Sequence, residues 1–401
     1  MVKIAVFGYG TVGSGIVEVI KTNQELIDKR AGEKVDIKYI LDLRDFPGDP
    51  YESLVVHDAD IILSDPEVRV IAEAMGGIEP AFTFTKRALS AGKSVCTSNK
   101  ELVEAKGAEL LQIARENNAN YLFEASVGGG IPILRPLVTS LTADHIDAVT
   151  GILNGTTNYI LTKMSEEGLG FDSVLAKAQE MGYAERNPDA DIKGYDAGRK
   201  IAILASLITG KNVPFDQIYT EGITDIVPAD FEYAKSLGYV VKLLAMYRQK
   251  GDKYYAYVAP AMIGRDNPLY AVSDVFNGIL VHGNMLGDAL FSGAGAGKKP
   301  TASAVAGDVV DCVRAGGKLL PGGWTTEEFK LSDHRMREKR FLVRVKNENA
   351  GEFEKEFEGS KAVDAGIDGE TGFLTVSMDE FTFEEKEKKV PGIISRIRVE
   401  D

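Results

Sequence analysis

The stretch KIAVFGYGTVG, from Lys3 to Gly13, constrains the folding of this 401-residue chain more than any other. A short apolar run ends in glycines at G-x-G-x-x-G spacing. A segment with apolar Val12, Ile16, Val17, Val19 and Ile20 at helical spacing follows. The run reads as a parallel strand buried on both faces. Gly8 permits a tight turn, Gly10 lets the backbone approach a pyrophosphate, and Gly13 lets strand and helix pack closely. Thr11 and Val12 open the helix, whose N-terminal N–H groups receive negative charge. A turn that only shapes the fold also accounts for the glycines, but the flanking strand and helix favour a dinucleotide site.

Further strands are expected at DIKYILDL (36–43), DADIILS (58–64), VRVIAEAM (68–75), KSVCTSN (93–99) and ANYLFEAS (119–126), with helices at 81–92 and 100–118. Such alternation implies α/β architecture with a Rossmann-type doubly wound parallel sheet. We place this dinucleotide-binding domain at 1–134, rejoined by 300–320, where PTASAVAGDVVDCVRAG has Pro near the start of a helix and Gly at its end. Residues 135–299 read as an α+β domain with a partly antiparallel sheet, and 321–340, which opens on PGGW, as a linker. Residues 341–401 run strand–helix–strand–strand–helix–strand, the ferredoxin-like order.

The formal charge of −14 repels phosphate backbones and argues against a nucleic-acid partner. The glutamates near the C-terminus (Glu352, Glu354, Glu356, Glu358) read as a solvated face. Two cysteines, Cys96 and Cys312, make no disulfide framework. No apolar run reaches the roughly 18–20 residues of a membrane span. MVKIAVFG opens without a signal-peptide pattern, so the expected location is the cytoplasm. The four histidines, His57, His145, His282 and His334, lie far apart and show no zinc-ligand spacing.

The segment GYAERNPDADIKGYDAGRK (182–200) gathers Glu185, Asp189, Asp191, Asp196 and Lys200. Asp196 and Lys200 stand four apart and share a helix face. On a surface they are an ion pair; in the first turn of the apolar helix that follows, the lysine becomes a candidate proton carrier. At the end of the second strand, Asp42 is placed to hold a ribose hydroxyl, favouring NAD, while Arg44 is placed to accept a 2′-phosphate, favouring NADP.

The motifs GYGTVG, MGGIEPA, TSNK, FEASVGGGIP, GILNGTTNYIL, GYAERNP, GYDAGRK and GAGKKPTASAV occur in the order found in homoserine dehydrogenases, and the chain resembles that family from about Val2 to Gly316. Asn187 stands where the family usually has Asp, and Gly198 where Ala is common. The resemblance implies NAD(P)-dependent interconversion of L-homoserine and L-aspartate 4-semialdehyde in threonine and methionine biosynthesis. It implies that Lys200 is the catalytic lysine with Asp196 as its partner, and that Lys100 serves the nicotinamide and the reacting oxygen. Glu185 and Asp191 then match carboxylates holding the substrate ammonium and nearby waters. Gly155, Thr156 and Tyr183 match other substrate-lining positions. It also implies a sodium-type site from the carbonyls of Glu124, Val127, Gly129 and Ile131, and a homodimer or homotetramer. The C-terminal unit resembles an ACT domain, with Ala350–Gly351 in the effector-loop position. Threonine sensing and subunit pairing are both open for it. Two rivals are an aspartate-semialdehyde dehydrogenase with Cys96 as nucleophile and a non-catalytic amino-acid sensor. An apolar strand around Cys96 opposes the first, and retention of Lys100 and Lys200 opposes the second.

Overall fold

The computed structural model describes residues 1–400. Six parallel strands form the first sheet: β1 (Val2–Phe7), β2 (Val35–Leu41), β3 (Val55–Val56), β4 (Val68–Glu73), β5 (Ser94–Thr97) and β6 (Tyr121–Leu122), in the order β3-β2-β1-β4-β5-β6. Strand order reverses between β1 and β4, which places a crevice at their carboxyl ends. The helix Thr11–Thr22 and the helix Lys298–Ala315 cover one face; Ile16 and Val17 share a core there with Val305, Val309 and Val313. The chain clusters into two compact units, and the first comprises residues 1–145, 202–215 and 293–329.

Two expected strands of this unit differ. DADIILS is no strand: Ala59–Leu63 is a helix, because the Asp58 carboxylate caps it by accepting Asp60 N–H at 2.9 Å. Buried Ala59, Ile62 and Leu63 recur at helical spacing, and the third strand is the two-residue β3 just before. In ANYLFEAS only Tyr121–Leu122 pairs in the sheet, and Glu124–Ser126 turns as a 3₁₀ helix.

The second unit comprises residues 146–201, 216–292 and 330–401. Its sheet holds β7 (Ile146–Ile152), β8 (Tyr219–Thr220), β9 (Tyr239–Lys250), β10 (Lys253–Gly264), β11 (Phe276–Gly283), β12 (Gly287–Ala294), β13 (Arg340–Lys346), β14 (Lys361–Val363), β15 (Glu370–Leu374) and β16 (Ile393–Glu400). Nine run in the order β12-β11-β7-β9-β10-β16-β13-β15-β14, and β8 pairs with β10. The 12-residue strands β9 and β10 pair antiparallel along their whole length and anchor a core of Leu244, Met246, Tyr257 and Ile263.

The last four strands carry helices Ala350–Glu356 and Glu380–Glu387 between them, and their sheet order is fourth, first, third, second. Phe341, Phe353, Phe357, Phe373 and Phe383 fill its core at 0–1% exposure. Each such ring contributes about 2 kcal/mol of burial. β16 pairs parallel with β10, so this module continues the sheet of its unit. Among the described residues no helix is long and apolar enough to cross a membrane.

Candidate active site

The glycine loop joins β1 to the helix Thr11–Thr22. Gly8 takes φ +86°, and a Cβ on Gly13 would sit 1.8 Å from the Gly8 carbonyl oxygen, so both must be glycine for the turn to close. A Cβ on Gly10 would meet nothing within 4 Å. Its lack of a side chain therefore serves no internal contact and leaves the helix N-terminus, begun by Thr11 and Val12, open to a pyrophosphate. The residues fit a dinucleotide.

Asp42 follows the end of β2. Its carboxylate accepts Tyr9 N–H of the glycine loop at 2.8 Å and both the backbone N–H and the guanidinium fork of Arg44 at 2.9–3.0 Å. The Arg44 side chain, with the loop N–H groups, holds the Asp42 carboxyl well below the usual carboxylate range. The Arg44 guanidinium also lies over the Phe46 ring, 5.2 Å from its centroid. The two candidate ribose readers are thus bound to each other. Lys100, half-buried, is the first residue of the helix Lys100–Glu116, which Asn99 caps by accepting Leu102 N–H.

The lysine site lies in the second unit. Lys200, 7% exposed, donates to Asp196 Oδ2 and to the Leu153 carbonyl, both at 2.7 Å. Asp196 is 2% exposed. The pair is therefore buried, which decides against the solvent-exposed ion pair that the spacing alone allows; Asp189 and Lys193, seven residues earlier, make that surface version. The site also depends on Asn154, which sequence reasoning missed. Its Oδ1 caps the helix Gly155–Glu167 by accepting Thr157 N–H at 2.9 Å. Its amide nitrogen donates to Asp191 Oδ1 at 2.7 Å and Asp196 Oδ2 at 2.8 Å. The signal was present as Asn before a helix start with Thr157 three residues on.

Gly155 opens that helix, and a Cβ there would lie 2.8 Å from the Val275 carbonyl oxygen. Thr156 Oγ1 donates to the Tyr183 carbonyl at 2.6 Å, and the Tyr183 ring tilts against Tyr159 with centroids 5.0 Å apart. Gly155, Thr156, Tyr183, Asp191, Asp196 and Lys200 thus come together around one helix N-terminus. Glu185 is exposed on the same loop; its carbonyl accepts Gln179 Nε2 at 3.1 Å, while its carboxylate makes no contact within the described residues. A buried ammonium with a fixed carboxylate, near the Asp191 carboxylate that Asn154 also holds, suits proton exchange with an oxygen and recognition of an amine.

Elsewhere, the Glu124 carboxylate accepts the N–H groups of Ile133, Leu134 and Arg135 at 2.6–3.0 Å, and Asp308 accepts both Glu124 N–H and Arg135. Burial pushes the Glu124 and Asp308 carboxyls up, Asp308 to about 7. Gly128 and Gly129 are left-handed, and a Cβ on Gly129 would lie 2.4 Å from the Gly295 carbonyl oxygen, so close packing alone explains that glycine. Within the turn, backbone N–H groups go to the Phe123 and Gly128 carbonyls. Cys96 is fully buried with its Sγ 3.6 Å from Cys312 Sγ, and burial pushes its thiol pKa up, which suits a core residue and not a nucleophile.

The homoserine dehydrogenase family profile matches residues 132–310, and the profile for the homoserine dehydrogenase NAD-binding domain matches residues 8–124. The homoserine dehydrogenase of Synechocystis is 42% identical over 319 residues, 78% of this chain and 73% of that protein. That of Helicobacter pylori is 40% identical over 331 residues, 82% and 78% of the two chains. The crystal structure of a homoserine dehydrogenase from Thiobacillus denitrificans superposes with a TM-score of 0.90 at 32% identity, covering 100% of this chain and 98% of that one. A hyperthermophilic archaeal homoserine dehydrogenase in complex with NADPH gives 0.66 at 26% identity, over 80% and 99% of the chains.

Proposed function

This chain belongs to the homoserine dehydrogenase family, an oxidoreductase family, and we propose that Lys200, held by Asp196, is its acid–base group. The observation that carries this is the buried ammonium of Lys200, fixed at 2.7 Å by both Asp196 and the Leu153 carbonyl. In the direction of homoserine oxidation, neutral Lys200 takes the hydroxyl proton. In the reverse direction its ammonium stabilises the negative charge developing on oxygen and donates the proton. A bound nicotinamide supplies or accepts the hydride. Asp196 orients the amine, and Asn154 holds Asp196 and Asp191 in register. Glu185 and Asp191 receive the substrate's ammonium group, against a wall formed by Gly155, Thr156 and Tyr183. The exposed, uncommitted carboxylate of Glu185 supports that role.

In the first unit, Gly8, Gly10, Thr11, Val12 and Gly13 hold the pyrophosphate of NAD or NADP, and Lys100 serves the nicotinamide end and the reacting oxygen. Asp42 receives the ribose hydroxyls when NAD binds. Release of Arg44 from Asp42 supplies a guanidinium for a 2′-phosphate when NADP binds. The carbonyls of Glu124, Val127, Gly129 and Ile131 form a sodium-type site; the commitment of the Glu124 carboxylate to three N–H groups leaves its carbonyl as the donor there. In functional terms, residues 1–134 with 300–320 bind the dinucleotide, 135–299 carry substrate residues and subunit contacts, and 341–401, after the 321–340 linker, form a ferredoxin-like, ACT-like module. The fourth-first-third-second strand order supports that last reading. The helix Ala350–Glu356 is only seven residues long, which favours subunit pairing into a homodimer or homotetramer over threonine sensing.

A steady-state assay with L-homoserine and each cofactor, with and without threonine and sodium, tests the whole reading. Homoserine-dependent reduction of NAD or NADP is expected, with little response to threonine. Absence of turnover with both cofactors would remove the acid–base assignment, and inhibition by threonine would reverse the role given to the C-terminal module.

A further inference from the structure

Glu73 ends β4 and is 0% exposed, yet among the described residues no lysine, arginine or histidine pairs with it. Burial pushes its carboxyl pKa up, while the hydrogen bonds it receives oppose that rise. Its Oε1 accepts Met75 N–H at 2.7 Å, in the loop Met75-Gly76-Gly77. Its Oε2 accepts the Thr97 hydroxyl at 2.5 Å, from the residue opposite it at the end of β5. Thr97 Oγ1 in turn accepts Asn99 N–H at 2.9 Å. Asn99 then reaches both ways: its amide nitrogen donates to the Gly77 carbonyl at 2.6 Å, and its Oδ1 accepts Leu102 N–H at 3.1 Å, capping the helix that begins with Lys100.

One buried carboxylate therefore ties together the two loops at the carboxyl ends of neighbouring parallel strands, at the edge where doubly wound sheets hold their ligands. Burying an acid with no cation beside it is costly, and a hydrophobic residue would serve the core better. The cost is rational if the carboxylate fixes something that must not move. The last link in its chain is the cap that sets the first turn of the helix, and so the position of Lys100.

We propose that Glu73, acting through Thr97 and Asn99, is a positioning residue that fixes Lys100 for turnover. This rests on the role given to Lys100 above. Neither Glu73 nor Thr97 touches the substrate in this account; they hold the backbone from which Lys100 extends.

A double-mutant cycle with Thr97→Val and Lys100→Met tests it. Thr97→Val keeps the branched outline and removes only the hydroxyl that links Glu73 to Asn99. It is expected to lower kcat about tenfold, with KM for homoserine within about twofold, since a misplaced group costs rate more than binding. Thr97→Ser restores the rate. In the Lys100→Met background, Thr97→Val then costs nothing further. If Thr97→Val proves unfolded, Glu73→Gln, which keeps the outline and one acceptor, enters the same cycle with the same expectation. A wild-type kcat for Thr97→Val, failure of Thr97→Ser to recover, or an undiminished tenfold loss in the Lys100→Met background would each overturn the inference while leaving Lys100 in its role. A Lys100→Met enzyme with wild-type turnover would remove that role and the inference with it.

Discussion

Replacing Asp196 by Asn isolates the electrostatic part of the lysine site. The side chain keeps its outline, and its amide oxygen can still accept the 2.7 Å hydrogen bond from Lys200. What disappears is the charge. A hydrogen bond to a charged partner contributes about 1.5–3 kcal/mol and a neutral one about 0.5–1.5, so the ammonium form of Lys200 loses about 1–2 kcal/mol. Little of that is screened away, because the two side chains are 9% and 3% exposed. Each 1.36 kcal/mol moves a protonation equilibrium by about one pH unit. Homoserine oxidation needs the neutral amine, so the acidic limb of its kcat/KM profile moves to lower pH by about one unit. Aldehyde reduction needs the ammonium, so the alkaline limb of that profile moves down by the same amount. Profiles recorded in both directions, for wild type and Asp196→Asn, supply the assay. Limbs that stay in place, or that move in opposite senses, would refute a proton passing through a lysine held by this carboxylate.

Glu185→Ala is expected to raise KM for homoserine by about tenfold with kcat nearly kept, the pattern of lost binding shared by ground and transition states; unchanged kinetics would take Glu185 out of the site. Asp42→Ala weakens NAD and favours NADP, whereas Arg44→Ala weakens NADP alone, so the NADP/NAD ratio of kcat/KM moves in opposite directions, and a ratio that neither variant moves would make both charges bystanders. His334 stacks on Tyr219 with centroids 4.1 Å apart, and burial holds its imidazole down to about 4, outweighing the attraction of Glu380. An unfolded chain takes up that proton near the ordinary value of about 6.5, so the folded state binds fewer protons between the two values and loses stability as pH falls through that window, by up to about 2–3 kcal/mol. Melting temperatures from pH 7 to pH 4 should fall more steeply for wild type than for His334→Gln; parallel curves would count against it.

The glycine loop was legible because local sterics alone require glycine at 8 and 13, whatever the rest of the chain does. The helix Lys298–Ala315 was legible through its apolar face and its Gly316 stop, in the left-handed conformation at φ +59°. DADIILS misled because two adjacent isoleucines suit either period, and the Asp58 cap that decides between them acts through one hydrogen bond. Spacing placed Asp196 and Lys200 on one face but said nothing of their burial, which comes from partners as distant as Leu153 and Asn154. Continuation of the C-terminal module into the sheet of its unit was equally hidden, because β10 and β16 pair across more than a hundred residues of chain. The role of Glu73 was not legible, because its burial and its bond to Thr97 arise only when β4 and β5 pair.

The role of Lys200 is tested by steady-state turnover of Lys200→Ala beside wild type, with homoserine and the preferred cofactor, on protein whose circular dichroism and cofactor affinity match wild type. Loss of a positioned acid–base group predicts a kcat at least about 10²-fold lower, partly recovered by a small added amine that fits the vacated space. A Lys200→Ala enzyme that turns homoserine over at near-normal rate would reduce the Asp196–Lys200 pair to a buried structural ion pair and place the proton transfer elsewhere.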